Sequence, residues 1–347
     1  MKIAKLLTIC VSALVVSCNG GSGAMDKFMA SSAGKTGDVL VVMNDDSYDG
    51  YVGDTVFNWL TQPVLVLPQE EASFKVIRIK PTAYNDMLRK TRNIIYCDIN
   101  PQNEKPTIKV EGDRYASPQI LITIKAKDDS AFYNTWLKVE KYIYDTLSYA
   151  EKQRYLAYFN KYREANLENE LSQSHPYSVY IPKGYNLDVN KPNFVWISNE
   201  TSISSQALLI FNFPYEGPKS FEKQSLLAKI DSVLMLNVPG PADGSYMAIS
   251  KYFEPIQEAY MRRGNYVSEM RGLWETKGDF MGGPFVCQSL VDTVNAQMIN
   301  VFAYAYGGKK DKKLLVWQLE SIMSTFEIKN KTIENAKKDY TYQAIWI

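Results

Sequence analysis

The sequence predicts an α+β protein of two domains: an N-terminal mixed sheet with two C-terminal helices, then a C-terminal antiparallel sheet flanked by helices in an α/β/α sandwich. Three observations carry this. Through the first half, apolar runs of strand length alternate with helical patterns, as in a sheet covered on both faces. The second half is mostly strand patterns separated by Gly and Pro turns. Between them lies a polar stretch, Asn166 to Ser174. About 310 residues follow the N-terminal leader and tether, which suits two domains better than one. With 46% hydrophobic and 13% aromatic residues, each can bury a core.

Asp38 to Met43, DVLVVM, is a continuous apolar run, the pattern of a strand buried on both faces. Asp54 can N-cap a short helix carrying Val56, Trp59 and Leu60. Phe74, Val76 and Ile79 mark a second strand, Pro81 to Lys90 reads as a helix, and Asn93 to Ile99 is a third strand. Thr107 to Val110 and Gln119 to Lys125 form a hairpin-like pair. Phe132, Trp136, Val139, Ile143 and Leu147 then recur at helical spacing behind the cap candidates Asp128, Asp129 and Ser130. Ser148-Tyr149-Ala150-Glu151 has capping-box spacing, so a second helix should start there, with Tyr155, Phe159 and Tyr162 on its apolar face. These two helices close the first domain, residues 37–165.

Residues 166–174, NLENELSQS, read as a linker, and residues 175–328 as the C-terminal domain. Its strand patterns are Tyr177 to Ile181, Asn193 to Ser198 and Gln206 to Phe213, with turns at Pro182-Lys183-Gly184-Tyr185 and Asn190-Lys191-Pro192-Asn193. Ser220 caps a helix with Leu226, Leu227, Ile230, Val233 and Leu234 in one stripe, ended by Pro239-Gly240-Pro241. A meander follows over Tyr246 to Tyr252, Asn265 to Trp274, Phe280 to Leu290 and Met298 to Tyr306. Gly307-Gly308 turns the chain into a last helix with Leu315, Leu319, Ile322 and Phe326 on one face. Residues 329–347 form a basic tail.

The first seventeen residues read as a bacterial lipoprotein signal peptide. Lys2 and Lys5 give a positive start, Leu6 to Val16 an apolar run of about a dozen residues, too short to span a bilayer. Val15-Val16-Ser17-Cys18 resembles the lipobox, where signal peptidase II cuts before a diacylglyceryl-modified cysteine, so Cys18 is the expected lipidation site. Residues 18–36, rich in Gly, Ser and Ala, read as a flexible tether. With 39 basic and 38 acidic side chains, the chain offers no electrostatic case for nucleic acid or for anionic lipid. The lipid anchor is then the expected contact with the membrane, and a Gram-negative cell envelope, with the folded part facing the periplasm, the expected location.

Candidate chemistry is sparse. His175 is the single histidine, which excludes a His-rich zinc site and leaves a histidine-based triad only if His175 is its base. Asp45-x-Ser47-x-Asp49-Gly50 copies the first half of a calcium loop, but Val56 stands where the bidentate Glu belongs. No metal or cofactor is called for. Cys97 and Cys287 sit in apolar runs and read as buried free thiols, though an oxidising compartment permits their pairing. The segment Arg271 to Phe285, RGLWETKGDFMGGPF, is the candidate binding site. It gathers Arg271, Trp274, Met281 and Phe285 around a turn, with Gly282 and Gly283 allowing close backbone approach. The same letters also suit a hairpin whose Trp and Phe face the core and whose glycines form a bulge.

Two resemblances add to this. "HPYSVYIPKGYNL…NFVWIS…ALLIFNF" and "VFAYAYGGKKDKKLLVWQLESIMSTF" are loosely similar to PsbP-type extrinsic photosystem proteins and their Mog1-like relatives over residues 175–327. That resemblance implies an α/β/α sandwich and a binding or assembly role. Gly34-Lys35-Thr36-Gly37-Asp38-Val39, Arg92-Asn93-Ile94-Ile95, Arg271-Gly272-Leu273-Trp274 and Met281-Gly282-Gly283-Pro284-Phe285 resemble an uncharacterised bacterial lipoprotein family, domain of unknown function 4837, over nearly the whole mature chain. No activity comes with it. The expected function is therefore a membrane-anchored, non-enzymatic binding or assembly protein with an envelope protein or glycan partner. The alternative is a carboxylate-dependent envelope hydrolase acting on glycan or cell-wall material through Glu269, Glu275 and Asp279.

Overall fold

The computed structural model describes residues 29–308 and 311–329. Cys18, the signal peptide and all of the basic tail but Lys329 lie outside them. In the N-terminal half, β1 (Asp38–Val42), β2 (Lys75–Ile79), β3 (Asn93–Ile99), β4 (Thr107–Gly112) and β5 (Ile120–Ala126) form a mixed sheet in the order β2-β1-β3-β5-β4. Only β4 runs antiparallel to its neighbour. α1 (Asp45–Tyr48) leads into α2 (Tyr51–Leu60), and α2 and α3 (Asp129–Lys161) cover one face, packing Val56, Leu60, Phe132 and Trp136 on Val41, Ile95 and Ile122. The other face, with Leu40, Val42 and Ile94, is covered by Tyr84 and Leu88. Every residue of β1 is buried, as its unbroken apolar run requires.

The C-terminal half starts with α4 (Ala165–Ser174) and β6 (Tyr177–Ser178). Then β7 (Asn186–Lys191), β8 (Phe194–Glu200), β9 (Ser204–Pro214), β10 (Tyr246–Ile249), β11 (Ile256–Arg262), β12 (Asn265–Lys277), β13 (Gly282–Asp292) and β14 (Gln297–Gly307) form an antiparallel sheet. The path runs β10-β12-β13-β14-β9-β8-β7, and β11 also pairs with β12. α5 (Lys223–Asn237) lays Leu226, Ile230 and Leu234 on one face, against Phe211, Phe285 and Phe302. α6 (Lys312–Met323) lays Leu319 and Ile322 on the other, against Ile210, Ile299 and Val301. This is the α/β/α sandwich expected from the sequence. A short β15 (Glu327–Ile328) closes on β6.

Several local expectations are corrected. The two helices expected after Asp128 are one, because no Gly or Pro interrupts the chain and Glu151, rather than capping, turns inward. The linker segment 166–174 is part of α4, held by the fully buried Leu171. Pro81 to Lys90 forms two single 3₁₀ turns, since Asn85 Oδ1 accepts from the backbone N–H of Met87 and Leu88 and breaks a longer helix. Ser220 lies in a 3₁₀ turn, and Glu222 precedes α5. The expected tether ends early: Ala30 to Ala33 are bonded to Ser117, Lys90 and Arg92. β7 and β11, both at sheet edges, were not expected as strands.

α6 joins the halves. Its Trp317 enters the N-terminal core, and the Glu71 carboxylate accepts from the backbone N–H groups of Lys312 and Lys313 at 2.8 and 2.9 Å, satisfying the positive end of the helix. On the same helix, buried Glu320 pairs with Lys152 of α3 at 2.8 Å and with Arg271 of β12 at 2.5 Å. Burial opposes its ionisation, but Arg271 and Lys152 outweigh it and hold the carboxyl at about 2, below the ordinary 4.5. A carboxyl depressed in the folded state stabilises above its unfolded value, and that contribution is lost as pH falls through the folded value. This group alone should therefore cost the protein about 3 kcal/mol between the two values, at low pH. Glu320→Gln should flatten the urea-midpoint profile between pH 4.5 and 2, and an unchanged profile would show that Glu320 is not held ionised.

Candidate functional site

The hairpin of β12 and β13 pairs each of its two large rings with a glycine across the strands: Gly272 faces Phe285, and Trp274 faces Gly283. A Cβ on Gly272 would overlap the Phe285 ring, and one on Gly283 would overlap the Ala305 carbonyl and lie 3.1 Å from Trp274 Nε1. Over Gly283 the indole therefore lies flat enough to donate to Ala305 O at 3.2 Å. The register runs on without a bulge, so the glycines make room for rings. Trp274 is 3% and Phe285 1% exposed. The two rings do not form a solvent-facing patch, because both point into the α5 side of the sandwich, where Phe285 stacks on Phe302 at 4.8 Å. Arg271 points to the opposite face and is taken up by Glu269 at 2.6 Å and Glu320. Gly282 starts β13, and Met281 beside it is half-buried.

What the hairpin lends to a site is Trp274 and Met281. They line a cleft of about 410 Å³, where the β8–β9 turn, the end of β14 and the segment Val238 to Pro241 after α5 come together. Trp196, Tyr304 and Tyr306 join them. The Trp274 ring centroid lies 5.4 Å from Tyr304 at 68° and 6.5 Å from Tyr306 at 57°, so the rings stand at steep angles to one another. Glu200 is the one charged residue among those lining the cleft. Ser205 Oγ donates to its carboxylate at 2.5 Å. Burial first, then the negative charges of Glu200 and Asp188, push the Tyr304 phenol above its ordinary 10, while Ser205 and Trp196 hydrogen-bond in the opposing sense. Trp196, Glu200, Tyr304 and Tyr306 were missed in the sequence. Tyr304 and Tyr306 share a strand face by spacing, but only the pairing of β14 with β9 and β13 brings Trp196 and Trp274 beside them.

The other candidates resolve into structural roles. Glu269 is held by Arg271, Tyr260 and Gln288, and Glu275 by Lys277 and Ser250. Six residues apart on one strand, they are separated by roughly 20 Å, beyond the roughly 5–10 Å of a glycosidase pair. Asp279 accepts from the Phe280 backbone N–H at 2.5 Å. His175 is buried, with Nε2 2.7 Å from Asn190 Oδ1 and its ring stacked on Tyr177 at 4.9 Å. Asp45 belongs to α1 and pairs with Arg78 and Lys80, while Ser47 donates to Asp129 at 2.5 Å. Among the described residues no group of three or more His, Cys, Asp or Glu is placed to hold a metal. Cys97 and Cys287 are free and buried in different cores, and burial pushes the Cys287 thiol up to about 12.

A second cluster gathers the motif segments of the N-terminal half. Gly37, Arg92, Asn93 and Arg154 all converge on Glu151, which is fully buried. Its carboxylate is taken up by these four residues. It ties α3 to the starts of β1 and β3.

No helix among the described residues is long and apolar enough to cross a membrane. Residues 164–325 match the family described as Domain of unknown function (DUF4837), and residues 32–160 match one described as Domain of unknown function (DUF8532). The C-terminal half thus carries the resemblance read from its motifs. The Gly34 to Val39 and Arg92 to Ile95 segments fall within the second match, so the first does not extend over nearly the whole mature chain. No curated protein matches. Among solved structures, the Ran-binding protein Mog1p of Saccharomyces cerevisiae is similar over 45% of this chain and 92% of its own, at 10% identity and a TM-score of 0.32. A Mog1 mutant is similar over 44% and 90%, at 11% identity and a TM-score of 0.31.

Proposed function

We propose that this chain is a non-enzymatic binding protein of the cell envelope, anchored through a lipid on Cys18, and that its ligand enters the cleft between β8, β12 and β14. The observation that carries the cleft is the meeting of Trp196, Trp274, Tyr304 and Tyr306 around about 410 Å³ of open space. Small-molecule and side-chain sites commonly measure about 300–1,000 Å³ and are lined by aromatic and apolar groups with few polar ones. The walls are strands in the middle of a large sheet, so the rings are held in place before a ligand arrives. The anchor rests on the signal pattern ahead of Cys18. The separation of Glu269 from Glu275 speaks against those two as the acid pair of the hydrolase alternative.

A photo-cross-linking amino acid in place of Ile203, exposed on the cleft rim, should give a discrete adduct in the native envelope. Tyr306→Ala should abolish it, and the same label at Met87, exposed on the N-terminal half, should give none. Labelling that is absent at Ile203, or equal at both positions, would remove the cleft from consideration. For the anchor, Cys18→Ser should yield a non-acylated, soluble or unprocessed chain, and an unmodified mature N terminus elsewhere would refute it.

A further inference from the structure

We infer that the cleft binds an organic cation, an ammonium or guanidinium head carried on a short apolar stem; this rests on the cleft being the ligand site. Two features of the lining speak against other classes. No Lys, Arg or His lines it, so a phosphate or carboxylate ligand would meet no opposite charge. Part of its hydroxyl-bearing rim is turned on itself: Thr201 Oγ1 donates to Ser204 O at 2.8 Å, accepts from the Ser204 backbone N–H at 3.0 Å, and Ser205 Oγ serves Glu200. Those two hydroxyls are not left for a sugar, which needs many paired donors and acceptors. The remaining chemistry is a set of π faces and one carboxylate. Ring faces carry negative potential, and a cation over Trp or Tyr is attracted most strongly where water is excluded. Tyr304 packs edge-on against Trp274 at 5.4 Å, and Tyr306 and Trp196 complete an aromatic lining on which a cation can be seated. Glu200 adds a full negative charge at the rim, and Met247, Met281 and Val238 offer apolar surface for the stem.

The head could belong to a lipid headgroup or to a peptide side chain. Calorimetry on the full mature chain with choline, N-acetyl-lysine methylamide and N-acetyl-arginine methylamide distinguishes these sources. 3,3-Dimethyl-1-butanol, the neutral isostere of choline, tests the charge itself. At least one cation should bind and, for choline, exceed its isostere by roughly tenfold or more, about the worth of one desolvated cation–π contact. Glu200→Gln, at an exposed position, should weaken the bound cation roughly tenfold while leaving the melting midpoint unchanged. Choline and its isostere binding equally, or affinity for the lysine and arginine probes indifferent to Glu200→Gln, overturns the cation and leaves the cleft standing. No binding by any probe, with the Ile203 cross-link intact, likewise overturns only the class of ligand. Loss of both removes the cleft as well.

Discussion

Glu151→Leu is expected to cost about 3–5 kcal/mol of stability, because it leaves two buried guanidiniums without their shared anion. The Glu151 carboxylate receives Arg92 Nη2 at 2.6 Å, Asn93 Nδ2 at 2.7 Å and the Gly37 N–H at 3.2 Å, with Arg154 Nη1 at 3.1 Å. Arg154 donates in turn to Asn93 Oδ1 at 2.9 Å and Arg92 O at 2.8 Å. The side chains of Arg92 and Arg154 are only 15% and 9% exposed, so water cannot readily replace the lost partner. Burial and the neighbouring Arg92 already lower the Arg154 pKa, and Glu151 is what offsets them. Glu151→Gln keeps the shape and one acceptor oxygen while removing the charge, so it should cost less. Urea denaturation of both variants at pH 7 separates charge from shape. A Leu variant no worse than the Gln variant would mean that the guanidiniums escape to solvent and that the cluster does not fasten α3 to the sheet.

The same residue shows where sequence reading reaches its limit. The stripe Phe132, Trp136, Val139, Ile143 and Leu147 is fully legible, since helical periodicity depends only on neighbours along the chain. Ser148-x-x-Glu151 satisfies the spacing of a capping box, yet its Glu is claimed by Arg92 and Asn93, about sixty positions away in the chain. Segment 166–174 is polar enough to pass for a linker; Leu171, buried in the C-terminal core, and Leu167, packed against it, hold it as a helix. β11 was hidden for the opposite reason. It lies on an edge with Glu258, Ala259, Tyr260 and Met261 all exposed, so no alternation marks it. The candidate site was legible to the extent that Trp274 and Met281 sit on one hairpin. Its other walls come from β8 and β14, and only non-local strand pairing places them alongside.

Trp274→Ala should also cost about 3–5 kcal/mol, the range for deleting a large buried ring from a core that relaxes only partly. The indole is 3% exposed, packs at 5.4 Å on Tyr304 and donates to Ala305 O, so the truncation leaves both a void and an unpaired carbonyl. Its position opposite Gly283 makes the void hard to fill, because the facing residue has no side chain to move in. Trp274→Phe isolates the two contributions: it keeps much of the apolar volume and loses the N–H donor, so its loss should be smaller, about 1–3 kcal/mol. The Ile203 cross-link should fall in both variants even where the fold persists, since Trp274 is a wall of the cleft as well as part of the core. Denaturation midpoints read together with adduct yield decide the matter. A Trp274→Ala protein that keeps its stability would show that the ring is not an integral part of the sandwich; one that loses stability but, while still folded, keeps the adduct would move the ligand away from Trp274 and onto Trp196 and Tyr306.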